Sequence, residues 1–111
     1  MQIQIEQQPW GTLVRLSGGM DAAHLPVVDE LDEILLVRYA GSNAVLDFAQ
    51  LVFIDCTGLG RLVNLVNKFR ENDRKLFVAA PSEGVLRILQ LTSMDKVVPI
   101  TESVEAAVQL I

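Results

Sequence analysis

At 111 residues, half of them hydrophobic and about a fifth charged, the chain is long enough for one hydrophobic core and too apolar to stay disordered. Nine Lys and Arg residues against fourteen Asp and Glu residues give a net charge of −5, which opposes contact with nucleic acid phosphates or anionic lipid headgroups. No apolar run is long enough to span a bilayer. The charge therefore argues against a nucleic acid partner, and the lack of a long apolar run argues against membrane insertion.

The chain opens with a predicted β-hairpin. Ile3 and Ile5 alternate with polar residues, and the run from Thr12 to Leu16 follows at hairpin distance. The segment from Ser17 to Asp21 contains two glycines and breaks the strand pattern. We therefore expect two antiparallel strands that end before residue 17.

A helix and a buried strand are predicted next. Apolar residues recur at helical spacing between Val27 and Leu35, and Pro26 fits the first turn, where its missing N–H costs nothing. The run from Ala44 to Phe48 is typical of a central strand, and a short connection separates it from a second apolar patch, Leu51 to Ile54. That patch leads directly into a helix.

The second half of the chain alternates helices with strands. In order, we predict a helix with apolar spacing from Leu59 to Arg70, a strand from Lys75 to Ala80, a helix capped by Ser82 that ends near Leu91, an extended piece from Val97 to Ile100, and a last helix capped by Ser103. This alternation after an initial hairpin predicts an α/β fold, with right-handed β-α-β units on one mixed sheet. A single domain, residues 1–111, is expected.

The residues that usually indicate an enzyme are mostly missing. His24 is the only histidine, and no cluster of Cys, His and carboxylates has metal-ligand spacing. Asp21, Asp47 and Asp55 lie near predicted strand ends, but no glycine-rich phosphate loop accompanies them. We therefore expect no catalysis, metal or other cofactor, and we interpret His24 as a polar residue at a helix start.

The cellular compartment follows from two features. The N-terminus, from Met1 to Glu6, lacks the basic start and the continuous apolar stretch of a secretory signal. Cys56 is the only cysteine and cannot form an internal disulfide; by default it is a small buried apolar residue. Both features favour a reducing cytoplasm.

The segment Asp55 to Gly60, with the sequence DCTGLG, is unusual for a helix start. Two glycines in a first turn oppose helix formation by about 1 kcal/mol each relative to alanine. One interpretation is that Gly58 and Gly60 leave the backbone and the Thr57 hydroxyl open to a docking partner, at a helix start that favours an anion. The alternative is structural: Thr57 caps the helix, Asp55 complements its dipole, and the glycines pack tightly against the sheet.

Three segments match one family pattern in the right order. LSGGMD, from Leu16 to Asp21, resembles L-S-G-E-L-D, and LQLTSMDK, from Leu89 to Lys96, resembles L-x-L-T-G-L-D-K. VLDF, from Val45, followed by VFIDCTGLG, from Val52 to Gly60, is similar to a hydrophobic-D-hydrophobic strand followed by D-S-S-G-L-G. On these residues the chain resembles, over essentially its whole length, the STAS family of anti-sigma factor antagonists and cytoplasmic domains of sulfate transporters. The resemblance implies a single STAS-like domain, with a mixed sheet opened by an N-terminal antiparallel hairpin and packed against about four α-helices.

The antagonist branch of this family implies a phosphorylation switch. Its second D-S-S-G hydroxyl, here Thr57, is phosphorylated by a partner anti-sigma factor that is a serine/threonine kinase, and a PPM-type phosphatase restores the binding form. The unphosphorylated antagonist holds the anti-sigma factor and frees sigma. The positions that the resemblance assigns to the partner-binding surface are Ser17, Asp21, Asp55, Cys56, Gly58, Leu59 and Gly60.

The chain departs from the family pattern at three positions. Cys56 replaces the usual first Ser, Thr57 replaces the more frequent Ser, and Gly19 stands where an acidic residue is common. Three alternatives to the phosphorylation switch remain at this point. They are a constitutive STAS subunit of an ABC-type lipid transport system, a stressosome-like scaffold component and, least favoured, an enzyme or nucleotide-binding protein.

Overall fold

Alternating strands and helices build a five-stranded sheet in the computed structural model, which describes residues 1–111. The strands are β1 (Gln2–Gln8), β2 (Gly11–Met20), β3 (Ala44–Ile54), β4 (Leu76–Ala79) and β5 (Ile100–Thr101). The helices are α1 (Leu25–Glu33), α2 (Cys56–Glu71), α3 (Glu83–Leu91) and α4 (Val104–Gln109). The strand order is β1-β2-β3-β4-β5; β1 is antiparallel to β2, and the other pairs are parallel. The predicted mixed sheet, opening hairpin and four helices are confirmed.

The sheet separates two hydrophobic cores because successive strand residues point to opposite faces. The larger core contains Val14, Leu46 and Val78 of the sheet together with the apolar faces of α1, α2 and α3. The smaller core, on the other face, joins four sheet residues to Ala107 of α4, with Trp10 packed at its margin; these sheet residues are Leu13, Val45, Phe77 and Ala79. Three helices thus cover one face, and α4 covers the other.

Two strands are longer than the sequence pattern predicted. The Ser17 to Asp21 segment was expected to break the strand, but β2 continues to Met20. Parallel pairing with β3 supports this extension, and register shifts after Arg15 and Gly18 accommodate it as bulges. The connection expected after Phe48 is wrong for the same reason, since β3 runs without a break to Ile54. Both extensions carry their strands to the edge of the sheet where α2 begins.

Helix boundaries agree with the predicted caps. The Ser82 hydroxyl accepts from the Val85 N–H at 3.4 Å, and the Ser103 hydroxyl accepts from the Ala106 N–H at 3.1 Å. Pro26 lies in the first turn of α1, as expected. A wider helical turn, Ile34–Arg38, follows α1, so the predicted end at Leu35 falls inside it.

Arg74 ties the end of α2 to the segment from Leu35 to Ser42, which is distant from it in sequence. Its guanidinium donates to the backbone oxygens of Ser42 at 2.7 Å, Leu35 at 2.8 Å and Tyr39 at 3.2 Å, and it lies 3.8 Å from the centre of the Phe69 ring. Burial lowers the pKa of Arg74. The forked side chain therefore holds the wider turn after α1, and the loop that precedes β3, against the end of α2.

We predict that Arg74→Lys lowers the free energy of unfolding by about 1–3 kcal/mol, because one ammonium group cannot reproduce the forked contacts. Urea denaturation measures the change. Arg38→Lys is the matched control, since Arg38 is exposed, and it should alter stability by less than about 0.5 kcal/mol. Equal stability of the two variants would contradict the role given to Arg74.

Candidate functional site

Asp55 fixes the start of α2 to the neighbouring strand. Its Oδ1 accepts from the Gly58 N–H at 2.9 Å, and its Oδ2 accepts from the Ala22 N–H at 3.1 Å. The Asp55 N–H in turn donates to the Met20 oxygen at 3.3 Å. These hydrogen bonds, led by the one from Gly58, favour the ionised carboxylate and lower the pKa of Asp55.

Asp55, and not Thr57, is the residue that caps α2. The structural interpretation of Thr57 as an N-cap is therefore wrong: Thr57 lies inside the first turn, where its side chain is partly exposed. Asp55 takes the cap position because its backbone is extended just after β3, as at most N-caps, and its carboxylate accepts from the Gly58 N–H. The Thr57 hydroxyl consequently has no part in capping.

The two glycines of the segment have different surroundings. A Cβ on Gly58 would overlap the Met20 oxygen and would lie 2.9 Å from Cγ1 of Ile54, so this glycine is required by close packing of α2 on the strand ends. A Cβ on Gly60 would have no atom within 4 Å, and this residue is exposed. Packing therefore accounts for Gly58, whereas Gly60 is part of the open surface.

A tight turn next to Asp55 carries the second acidic residue. Asp21 caps the short turn Ala22–His24, where its Oδ1 accepts from the Ala23 N–H at 3.1 Å and lies 2.6 Å from Nδ1 of His24. Since Ala22 donates to Asp55, the two carboxylates belong to one hydrogen-bonded corner. His24 lies in a turn ahead of α1, as the sequence predicted.

Three other predicted site residues are placed differently from the expectation. Leu59 belongs to the main core and keeps only 9% of its surface, so it packs the helix rather than facing a partner. Cys56 was expected to be buried and is exposed, at the first position of α2. Ser17 is paired with Gln2 and Gln50 within the sheet, away from the corner contacts of Asp21 and Asp55.

Exposed apolar side chains next to the corner were not singled out from the sequence. Val52 and Phe53, near the end of β3, keep 75% and 47% of their surface, and Leu25 at the start of α1 keeps 37%. The available clue was the run Leu51 to Ile54, because four consecutive apolar residues of a strand cannot all face one core. This edge of the sheet therefore combines apolar contact area with acidic groups.

Comparison with known proteins assigns the family. The family model of the STAS domain matches residues 2–107. The chain belongs to the STAS domain family. Among relatives of this STAS domain, the anti-sigma-B factor antagonist of Staphylococcus epidermidis is 29% identical over 94 residues, which cover 83% of this chain and 84% of that protein.

Solved structures share the fold of this STAS domain. An anti-sigma factor antagonist from Mycobacterium paratuberculosis superposes with a TM-score of 0.86 at 20% identity, over 98% of this chain and 92% of that one. The Bacillus cell fate determinant SpoIIAA in its phosphorylated form gives 0.71 at 16% identity, over 99% and 100%. These likenesses confirm the STAS fold that the three sequence motifs predicted.

This STAS domain has neither a metal-binding cluster nor a membrane-spanning helix. No group of three or more His, Cys, Asp and Glu side chains is arranged to hold a metal ion. None of the helices combines the length and the apolar character needed to cross a membrane. The polar groups at the corner are carboxylates, backbone N–H groups and the Thr57 hydroxyl.

We predict that alanine has opposite effects at the two glycines. Gly58→Ala should lower the free energy of unfolding by about 1–3 kcal/mol, because the added Cβ meets the backbone at Met20. Gly60→Ala should raise it by about 0.5–1 kcal/mol, because alanine favours the helix and meets nothing. Parallel urea denaturation of the two variants tests this; losses of equal size would contradict the packing described.

A second prediction concerns the pH dependence of stability. Because the pKa of Asp55 is lowered on folding, its ionised form stabilises the folded chain fully above pH 3.8, and this contribution is lost as the pH falls through the lowered pKa. Asp55→Asn should therefore show a shallower loss of unfolding free energy below pH 3.8 than the wild type. Denaturation at a series of acidic pH values measures both slopes, and identical slopes would remove Asp55 from this role.

Proposed function

We propose that this chain is an anti-sigma factor antagonist. It binds an anti-sigma factor serine/threonine kinase through the start of α2 and loses that partner when Thr57 is phosphorylated. The proposal rests on one observation: the residue that caps α2 is not the residue that carries the available hydroxyl. Asp55 caps the helix, so the Thr57 hydroxyl is partly exposed and is not needed for the fold.

The surface around Thr57 suits a protein partner. Gly60 offers open backbone on the next turn, and Val52 and Phe53 supply apolar contact area beside it. Apolar and aromatic side chains dominate the centres of protein interfaces, whereas acidic groups at the rim steer basic partners. Asp21 and the exposed Cys56 belong to the same edge of the sheet.

Phosphorylation would oppose binding through charge. A phosphate on Thr57 adds about −1.5 to −2 charge within a few residues of Asp55. The fold tolerates the group because a helix N-terminus has a favourable dipole for an anion. The penalty therefore falls on the interface, where each 1.4 kcal/mol of lost binding free energy lowers affinity about tenfold.

The relatives support this direction. The Staphylococcus relative is named an anti-sigma-B factor antagonist, and the phosphorylated SpoIIAA structure has the same fold. We infer that the chain acts as one cytoplasmic STAS domain, residues 1–111, without catalysis of its own. A PPM-type phosphatase would remove the phosphate from Thr57 and return the chain to its binding form.

We predict that immobilised wild-type chain captures a kinase-like anti-sigma factor from host lysate and that Thr57→Glu does not. Mass spectrometry identifies the captured proteins. Glutamate carries less charge than phosphate, so the loss should be at least tenfold but incomplete. Capture of a transporter permease or ATPase by both chains would contradict the proposal.

Thr57→Val is the matched control, because it keeps the shape of threonine and removes the phosphorylatable oxygen. It should capture the same kinase as the wild type. Added Mg-ATP should release the kinase from the wild type and not from Thr57→Val. Release from both chains would exclude Thr57 as the control point.

A further inference from the structure

Arg61 is the cation nearest to the proposed phosphorylation site along α2. Its Nη1 lies 2.8 Å from Oδ2 of Asp32, and its Nη2 is bonded to Oδ1 of Asp29. Both carboxylates belong to α1, so this arginine is the ionic link between α1 and α2. The link involves residues that the family motif does not include.

Helix geometry brings Arg61 to the same flank as Thr57. The two residues are four positions apart in α2, and side chains at that spacing lie on one face with Cβ atoms about 5–6 Å apart. Long side chains in a helix also point back toward its N-terminus. The Arg61 side chain therefore emerges one turn after Thr57 on the same flank of α2, and its guanidinium is bound to Asp29 and Asp32.

The charges around this flank are unequal. Two carboxylates lie at the starts of the helices and two lie further along α1, and Arg61 is the only permanent cation that pairs with any of the four, because His24 is charged only when protonated. The carboxylates are those of Asp21, Asp29, Asp32 and Asp55. A phosphate on Thr57 thus competes with two carboxylates, those of Asp29 and Asp32, for the Arg61 guanidinium.

Asp32 depends on Arg61 more than Asp29 does. Its Oδ1 is buried and has no hydrogen-bond partner, and its side chain is 18% exposed, against 57% for Asp29. Burial raises the pKa of Asp32. If Arg61 moved away, Asp32 would be a poorly hydrated carboxylate with no compensating group.

We propose that Arg61 receives the phosphate of phosphorylated Thr57 and leaves Asp29 and Asp32 to do so. Arginine binds phosphate through two parallel hydrogen bonds, and a doubly charged phosphate attracts it more strongly than either carboxylate does. The phosphate thereby weakens the contact between α1 and α2. The modification acts on the part of α1 that carries Asp29 and Asp32 as well as on the partner-facing turn. This inference rests on the proposed phosphorylation of Thr57.

The test uses chain in which phosphothreonine is introduced at position 57 during synthesis, so no kinase is required. Phosphorus NMR follows the second ionisation of the phosphate. An arginine in contact should lower the midpoint by about 0.5–1 pH unit relative to Arg61→Gln. Arg61→Lys, which keeps the charge but loses the fork, should give an intermediate midpoint. Identical midpoints for wild type and Arg61→Gln would overturn the proposal.

Arg15→Gln is the matched control. Arg15 also pairs with two carboxylates, Glu6 at 2.9 Å and Asp47 at 3.6 Å, but it lies on β2 outside the α1 and α2 pair. Its removal should leave the phosphate midpoint unchanged. An equal shift for Arg15→Gln would mean that net charge, and not contact with Arg61, sets the midpoint, and would also overturn the proposal.

Hydrogen exchange of α1 amides supplies the second readout. Phosphorylated wild type should exchange faster over Leu25–Glu33 than unmodified chain, whereas Arg61→Gln should exchange equally in both forms. Unchanged exchange in the wild type would contradict the loosening of α1. Because neither readout involves a partner, failure to capture a kinase would reject only the proposed function, and a missing midpoint shift would reject only the role of Arg61.

Discussion

The Asp55 carboxylate is the constraint on which the candidate site depends. One of its oxygens accepts from the Gly58 N–H, which is one of the free N–H groups at the start of α2. The other oxygen accepts from the Ala22 N–H, just after the end of β2. The ends of two parallel strands, β2 and β3, and the helix that follows β3 thus meet at one side chain. Gly58 completes the corner, since only a residue without a Cβ lets the helix approach the Met20 carbonyl so closely.

This arrangement separates the groups that hold the fold from the groups that are free to act. Asp55 and Gly58 are committed to the corner, and Leu59 is committed to the core. Thr57 is partly exposed and Gly60 is exposed, and neither is committed to the corner or to the core. A modification of Thr57 can therefore change the surface charge while the corner remains intact, which is the property that a reversible switch requires.

Acidic charge around the site sets the direction of the proposed switch, in which phosphorylation opposes binding. The chain already carries a net charge of −5, and the site lies among several carboxylates, so a phosphate adds to an existing excess. Arg61 is the local exception, and its pairing with Asp29 and Asp32 makes it available only through competition. The proposed switch thus combines repulsion at the partner-facing turn with a rearranged ion pair on the neighbouring flank.

Local signals in the sequence predicted most of the fold. The caps at Ser82 and Ser103 could be predicted because a cap involves residues only three positions apart. Strand lengths depended on distant pairing: the Ser17 to Met20 segment is extended because β3 lies beside it, and no local pattern contains that information.

The sequence motif predicted which residues form the candidate site but not how their side chains are arranged. Asp55 and Thr57 are both residue types that cap helices well. Asp55 takes the cap position because its backbone is still extended after β3, whereas Thr57 already lies within the helix. The exposure of Cys56 depends on which side of the first turn of α2 faces the core, where Gly58 and Leu59 are buried. The partners of Arg61 lie about thirty positions earlier in the chain, so the ion pair between helices has no sequence signature.

Isothermal titration calorimetry of the purified anti-sigma factor kinase tests the central claim most directly, with unmodified chain compared with chain fully phosphorylated at Thr57. The account predicts that unmodified chain binds and that phosphorylation lowers the affinity at least tenfold, while circular dichroism of the two forms shows the same folded content. Equal affinity of the two forms, or loss of binding accompanied by unfolding, would contradict a switch that acts on the surface of an intact corner.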